Sequence, residues 1–245
     1  MMNEPAIKSK TRLTGCRLLI LTFLTATSMK AQTLPPDYIA AAKTPHWHVC
    51  VQQFAAEPIR PGCYLFLGNS ITAAFDLARH FPGWPAVNRG IAADHIDGLL
   101  DRLEGSVFVQ QPARLFLLIG INDIGRGCPL EHMQLLYAGL VDTLQLRLPE
   151  CRFFLQAILP TTAKWKNCPP QTIRSMNHFI AALAQERRMT YVDLHAAMAD
   201  TSGDYLNPEL TSDGLHLNET GYDIWREVLL RAVPAATRTP ESSPE

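Results

Sequence analysis

Tyr64-Leu65-Phe66-Leu67-Gly68-Asn69-Ser70-Ile71-Thr72 is the stretch from which the rest of the chain can be read. Four large apolar residues in a row, bounded by Pro61-Gly62 and by Gly68, describe a short strand buried on both faces, as central strands of parallel sheets are. The apolar run stops at Gly68-Asn69-Ser70, and 71–79 carries a helical pattern. A serine leaving a central strand stands at the carboxyl edge, beside a helix N-terminus, where open α/β sheets place their chemistry. Serine and asparagine also cap helices. This stretch alone therefore gives Ser70 two readings, reactive group or cap.

Working outward, the same alternation repeats. Strands are expected over 64–67, 86–88, 115–119, 153–158 and 190–192, and helices over 71–79, 95–104, 130–148, 172–188 and 219–233. The helices rest on apolar spacing: Leu136, Leu140, Leu144 and Leu148 recur every fourth residue, and Ile173, Asn177, Ala181 and Gln185 do so on a more polar face. Five strands separated by helices imply right-handed crossovers and a three-layer α/β/α, flavodoxin-like fold on a five-stranded parallel sheet.

The remaining segments bound the domain. Lys8, Lys10, Arg12 and Arg17 precede a short apolar run at 18–27 and then small residues, the order of an export signal. The expected signal peptide is 1–31, cut after Ala31 or after Ser28, with Ala26-Thr27-Ser28 the better small-x-small match. The run is too short to span a bilayer comfortably, so no membrane span is expected after cleavage. Leu13-Thr14-Gly15-Cys16 has the make-up of a lipoprotein box but lies before the apolar run instead of after it, and is read as chance. A lead-in follows over 32–61, with a short helix over 37–43 and with Trp47 and Phe54 packing onto the domain; the domain covers 62–233 and a disordered tail covers 234–245.

Composition excludes some functions. The chain has 245 residues, 47% of them hydrophobic, and 22 basic against 23 acidic groups, enough for one full core and without the basic excess that nucleic acid requires. After signal removal five cysteines remain, Cys50, Cys63, Cys128, Cys151 and Cys168. An exported chain permits disulfides, and an odd count leaves at least one thiol free or intermolecular. Cys128 and Cys168 follow strands and are candidates to meet at one sheet edge; five ordinary buried thiols are the alternative. There is no CxxC pair, and His46-x-His48 alone is too few ligands for a metal, so neither metal nor cofactor is expected.

The most apolar strand, Leu115-Phe116-Leu117-Leu118-Ile119, ends in Gly120-Ile121-Asn122-Asp123. Two buried strands thus deliver a glycine and then polar residues to one edge. Near the C-terminus, Asp213-Gly214-Leu215-His216 spaces a carboxylate and an imidazole so that both fall on one side of a turn or helix start. A carboxylate there can accept from Nδ1, fix the tautomer and hold Nε2 outward as a base.

At these residues the chain resembles the SGNH, or GDSL, family of serine esterases. Gly68-Asn69-Ser70-Ile71 is similar to the nucleophile block, Asn88-Arg89-Gly90-Ile91-Ala92-Ala93-Asp94 to the second, Gly120-Ile121-Asn122-Asp123 to the third and Asp213-Gly214-Leu215-His216 to the last. The four appear in order across about 62–233. The resemblance implies Ser70 as nucleophile, His216 as general base and Asp213 as its orienting carboxylate. It implies an oxyanion hole from the Ser70 N–H, the Ala93 N–H and the Asn122 side chain. Two positions depart from the family pattern. Asn69 stands where Asp is usual and keeps the hydrogen-bonding reach of a turn residue. Ala93 stands where Gly is usual and would be strained if the backbone there needs a positive φ, with Gly90 as the other candidate for a backbone requirement.

Secondary candidates are Asn69, Gly90, Gly120 and Asp123, the last expected to cap its own loop or the next segment. His95 is expected to line the pocket or to sit on the surface at a helix start. An α/β-hydrolase would need a second glycine after Gly68-Asn69-Ser70-Ile71-Thr72, and a dinucleotide fold would need a Gly-rich phosphate loop; the chain has neither. Trp84 and Trp165 are candidate sugar-stacking rings or simple packing. The partner expected is a small acylated substrate, a glycan before a lipid. Two alternatives stand beside it: a lysophospholipase or thioesterase, and a glycan-binding module on an inactive scaffold.

Overall fold

The computed structural model describes residues 43–233. The expected signal peptide with its Cys16 box, most of the 37–43 helix and the 234–245 tail lie outside these residues.

Five strands form one parallel sheet: β1 (Tyr64–Gly68), β2 (Ala86–Gly90), β3 (Arg114–Leu118), β4 (Arg152–Gln156) and β5 (Thr190–Val192). Their order is β2-β1-β3-β4-β5, so β1 and β3 are neighbours although β2 lies between them in sequence. The chain direction across the sheet reverses at that pair, which makes the carboxyl ends of β1 and β3 the switch point of the fold. Every residue of β1 and β3 is buried, as their unbroken apolar runs require.

An aromatic ladder fixes the register. Phe66 pairs with Phe116 and Phe116 with Phe154, and their rings stack at 4.6 and 4.7 Å. A slip of one residue would turn these rings to the other face. With the ladder in place, Gly68 lies opposite Leu118 and the two strand exits end level.

The helices are α1 (Pro45–Ala56), α2 (Ser70–Ala73), α3 (Leu77–His80), α4 (Ile96–Ser106), α5 (Ile121–Gly125), α6 (Leu130–Arg147), α7 (Pro170–Glu186), α8 (Leu194–Met198) and α9 (Glu219–Ala232). On one side α4 packs on α6 and α6 on α7, with α1 outside α4. On the other, α9 packs on α3, α8 and β5. The α/β/α expectation is met. Helix α1 was not foreseen; it starts at Thr44, whose hydroxyl accepts from the Trp47 N–H, with Pro45 in the first turn.

Two expectations change and one open alternative is resolved. The single helix over 71–79 is two short ones. The Asn88 amide donates to the carbonyls of Thr72 (2.8 Å) and Phe75 (3.2 Å), groups that a continuing helix would use itself. Asp76 then starts α3 by accepting from the Arg79 N–H. Asn177 is on the buried face of α7, not a polar one: its side chain bonds both the N–H (2.7 Å) and the C=O (2.9 Å) of Ile158, just past β4. Of the two readings of the cysteines, the Cys128–Cys168 disulfide is not formed; none of the five described cysteines is in a disulfide. Burial pushes the Cys63 and Cys168 thiols up to about 11 and Cys151 to about 12, so none of these three is a ready nucleophile.

Asn177→Ala removes the partner of two buried backbone groups at once. It is expected to cost about 2–4 kcal/mol, read as a lower denaturant midpoint with an unchanged slope.

Candidate active site

The site is assembled from strand exits and one turn. Ser70 is the first residue of α2, and a first helical residue has no intrahelical acceptor for its N–H. Asn69 caps α2 by accepting from the Ile71 N–H at 3.0 Å, so it holds the turn in place and needs no charge to do so. The turn is tight on both sides. A Cβ at Gly68 would lie 2.3 Å from the Leu118 carbonyl oxygen, and one at Gly90 would lie 2.2 Å from the Ala73 nitrogen. Gly90 is therefore required for close approach.

The turn carrying Asp213 and His216 closes over Ser70. The Ser70 hydroxyl lies 2.9 Å from His216 Nε2, and His216 Nδ1 lies 2.6 Å from Asp213 Oδ2. With Nδ1 protonated, the ring donates to Asp213 and accepts from Ser70. The second oxygen, Oδ1, accepts from the N–H groups of Leu215 and His216, both at 2.8 Å. Partial burial pushes the Asp213 carboxyl up, but the imidazole and these N–H groups win and hold it at about 2. Gly214 has φ +92, and a side chain there would meet Thr162 Oγ1 at 2.1 Å. Thr211 ties the turn by donating to the His216 carbonyl at 2.6 Å and accepting from the Gly214 N–H at 2.8 Å. Sequence reasoning missed Thr211, although Thr at two residues before the Asp is a common turn-closing choice.

Asn122 follows Gly120 on α5, and Gly120 has φ +124. One amide hydrogen of Asn122 is committed to the Asp94 carbonyl at 2.9 Å; the amide has a second. Ala93 lies opposite with φ 60, the left-handed region that Gly enters freely and Ala does not. The departure at this position thus carries backbone strain. Asp123 is buried and accepts from the Ile96 N–H at 3.2 Å. Its side chain thus serves the start of α4, an earlier helix.

His95 is fully buried at the start of α4, neither on the surface nor lining the cavity. Burial pushes it down to about 4, the Arg126 charge adds to this, and the carbonyls of Ala93 and Asn122 oppose it. It is thus a neutral ring set beneath both loops.

Ser70, Ala93, Asn122 and His216 line a cavity of about 370 Å³, together with Arg126, Trp165 and Cys168. Trp165 anchors its wall by donating from Nε1 to the Asp213 carbonyl at 3.1 Å. Trp84 is elsewhere. It precedes β2, at the opposite sheet edge, and packs in the core against Phe81 (4.4 Å) and Tyr64 (5.2 Å). It does not line the cavity. Among the described residues one group has metal-ligand chemistry, His80 with Glu219 and Asp223. It lies outside the cavity, and Arg79 pairs with Glu219 at 2.6 Å.

The sheet order and the flanking helices are those of an α/β/α fold, and the family and relatives that the chain matches make it a carboxylic ester hydrolase. The chain belongs to the GDSL-like lipase/acylhydrolase family, whose sequence profile matches residues 66–224. An acetylxylan esterase of Geobacillus stearothermophilus is 25% identical over 159 residues, 62% of this chain and 73% of that one. A structure described as a candidate platelet activating factor from Streptococcus pneumoniae superposes with a TM-score of 0.71 at 25% identity, covering 76% of this chain and 92% of the other. A catalytic mutant of an acetylxylan esterase from Geobacillus stearothermophilus superposes with a TM-score of 0.58 at 19% identity, covering 71% and 95%.

Two outcomes follow from the strained and buried groups. Ala93→Gly relieves the left-handed alanine and is expected to stabilise the fold by about 1 kcal/mol, read from the denaturant midpoint. The unfolded state takes up a proton on His95 near 6.5, the folded state only near 4. The unfolded state therefore holds more protons in that window, and stability falls as the pH drops through it. The full loss from this residue is about 3 kcal/mol by pH 4. Denaturant titrations at several pH values are expected to give a shallower acid loss in His95→Gln than in the wild type.

Proposed function

We propose that this protein is an exported serine esterase that removes acetyl or another short acyl group from a carbohydrate hydroxyl. The observation that carries the reading is the hydrogen-bonded line from Ser70 through His216 to Asp213 on the wall of a small cavity. In this reading His216 takes the proton from Ser70 as the hydroxyl oxygen attacks the ester carbonyl carbon. Asp213, a carboxylate at any working pH, stabilises the imidazolium that forms. The oxyanion is held by the N–H groups of Ser70 and Ala93 and the second amide hydrogen of Asn122. The imidazolium returns the proton to the departing alcohol oxygen, leaving an acyl-serine. Water, deprotonated by His216, then releases the acid and restores Ser70.

Three things favour a short acyl group on a sugar. The cavity is at the small end of ligand pockets. Trp165 presents an amphipathic ring at its wall, suited to a sugar face. The acetylxylan esterase relative acts on an acetylated glycan by its name. The basic flank and short apolar run at the N-terminus favour export.

Nitrophenyl esters of increasing chain length test the reading. Short chains are expected to turn over fastest, and Ser70→Ala to abolish that turnover. Asn122→Ala is expected to lower kcat about a hundred- to a thousandfold. Acetate release from a panel of acetylated glycans names the substrate. Preference for long chains would transfer the site to lipid-like esters, and turnover that survives Ser70→Ala would refute the proposed nucleophile.

A further inference from the structure

The segment matched by the family profile starts at residue 66, so helix α1 lies before it. Yet α1 sends three side chains to one buried cluster. Trp47 donates from its indole Nε1 to Asp94 Oδ1 at 3.0 Å. The Phe54 ring lies under two guanidinium groups, Arg89 at 4.6 Å and Arg102 at 5.8 Å. Glu57, which ends the helix, pairs with Arg89 at 2.7 Å.

Asp94 is the centre of that cluster and is completely buried. A buried carboxylate is tolerated only when its oxygens are filled with donors. Oδ2 accepts from Arg102 Nε at 2.8 Å; Oδ1 accepts from Trp47 and from the His95 N–H at 3.1 Å. Arg102 extends the cluster to the strand ends by donating to the carbonyls of Gly68 (3.3 Å) and Arg89 (2.8 Å). The main chain of the same residue faces the other way: the Asp94 carbonyl accepts from the Asn122 amide at 2.9 Å. So the Asp94 side chain is set by α1 and α4, and its peptide sets Asn122. Gly98 makes room for this arrangement. A Cβ there would lie 2.2 Å from Asp94 Oδ1 and 3.4 Å from the Trp47 indole nitrogen.

We propose that Trp47 is a positioning residue for the oxyanion side of the site, acting through Asp94 on the Asn122 amide. This rests on the esterase reading above. Without the indole N–H, Oδ1 keeps one donor, and a carboxylate with an unfilled buried oxygen turns to find another. The Asp94 peptide turns with it, and the amide of Asn122 follows the carbonyl that holds it. An oxyanion donor displaced by a few tenths of an ångström loses stabilisation of the transition state and not of the bound ester, so the effect falls on kcat.

The test is Trp47→Phe, which keeps most of the ring and removes the N–H, in the full chain and at a temperature where it is folded by circular dichroism. With nitrophenyl acetate, kcat is expected to fall about tenfold or more, short of the full loss of an oxyanion donor, and KM to stay within about twofold. Trp47→His, which keeps a ring N–H, is expected to recover part of kcat. In an Asn122→Ala background Trp47→Phe is expected to add little, because the group it positions is gone. An unchanged kcat in Trp47→Phe would overturn the inference. So would the same tenfold loss with Asn122 already removed, since the effect would then run by another route. A wild type without Ser70-dependent turnover would overturn the esterase reading itself, and this inference with it.

Discussion

The site depends on β1 and β3 ending at the same height. Nothing in the chemistry of Ser70 or Asn122 puts them near each other; they are 52 positions apart in the chain. What does so is the parallel register of two strands adjacent only because the sheet order skips β2. The stacked rings of Phe66, Phe116 and Phe154 lock that register. Side chains alternate between faces with a period of two, so no neighbouring register keeps those rings on the same face. The glycines at both exits then let the loops turn at once. Gly68 has no room for a side chain against the Leu118 carbonyl, and Gly120 has a φ that other residues avoid.

Much of this was legible in the sequence because burial on both faces leaves a plain signature. Runs such as Leu115-Phe116-Leu117-Leu118-Ile119 have few ways to fold other than as central strands. The residues at their exits could therefore be placed at one edge, and four short blocks in order supplied the family. Less was legible where structure is decided by a distant partner. Asn88 breaks the helix after Ser70 by taking its carbonyls, and no local pattern over 71–79 announces that. Asn177 reads as polar and is buried because Ile158 offers it a matching donor and acceptor. Trp84 and Trp165 have the same chemistry, and only topology separates a ring at the amino edge of β2 from one at the carboxyl edge of β4. The sequence shows an alanine at position 93, but only the folded backbone shows that it sits at positive φ.

The two halves of the site are held by different physics. The side that carries Ala93 and Asn122 is held from below by buried groups: Asp94 with Arg102, His95 beneath the Ala93 and Asn122 carbonyls, and Asp123 at the start of α4. Burial favours neutral His95 and raises Asp94 above the usual carboxylate range, which Arg102, Trp47 and the His95 N–H counter in part. Such a cluster gives fixed geometry but little adaptability, since any member left without its partner carries a desolvated polar group. Strain at Ala93 can persist there because the surroundings over-determine the loop.

The imidazole side rests on a surface turn. The side chains of His216 and Asp213 remain 40% and 45% exposed. Thr211, donating to the His216 carbonyl, and Asp213, accepting from the Leu215 N–H, hold the turn, and Trp165 braces it from outside. In the proposed mechanism that suits a base which exchanges protons with an alcohol and then with water: solvent stays within reach of Nε2 while Nδ1 stays fixed. It also explains why Asp213 spends one oxygen on backbone N–H groups. In an exposed turn a carboxylate bound only to the ring would be free to swing into solvent. Pinned at Oδ1, its other oxygen is left at the one position from which it can hold the imidazole toward Ser70.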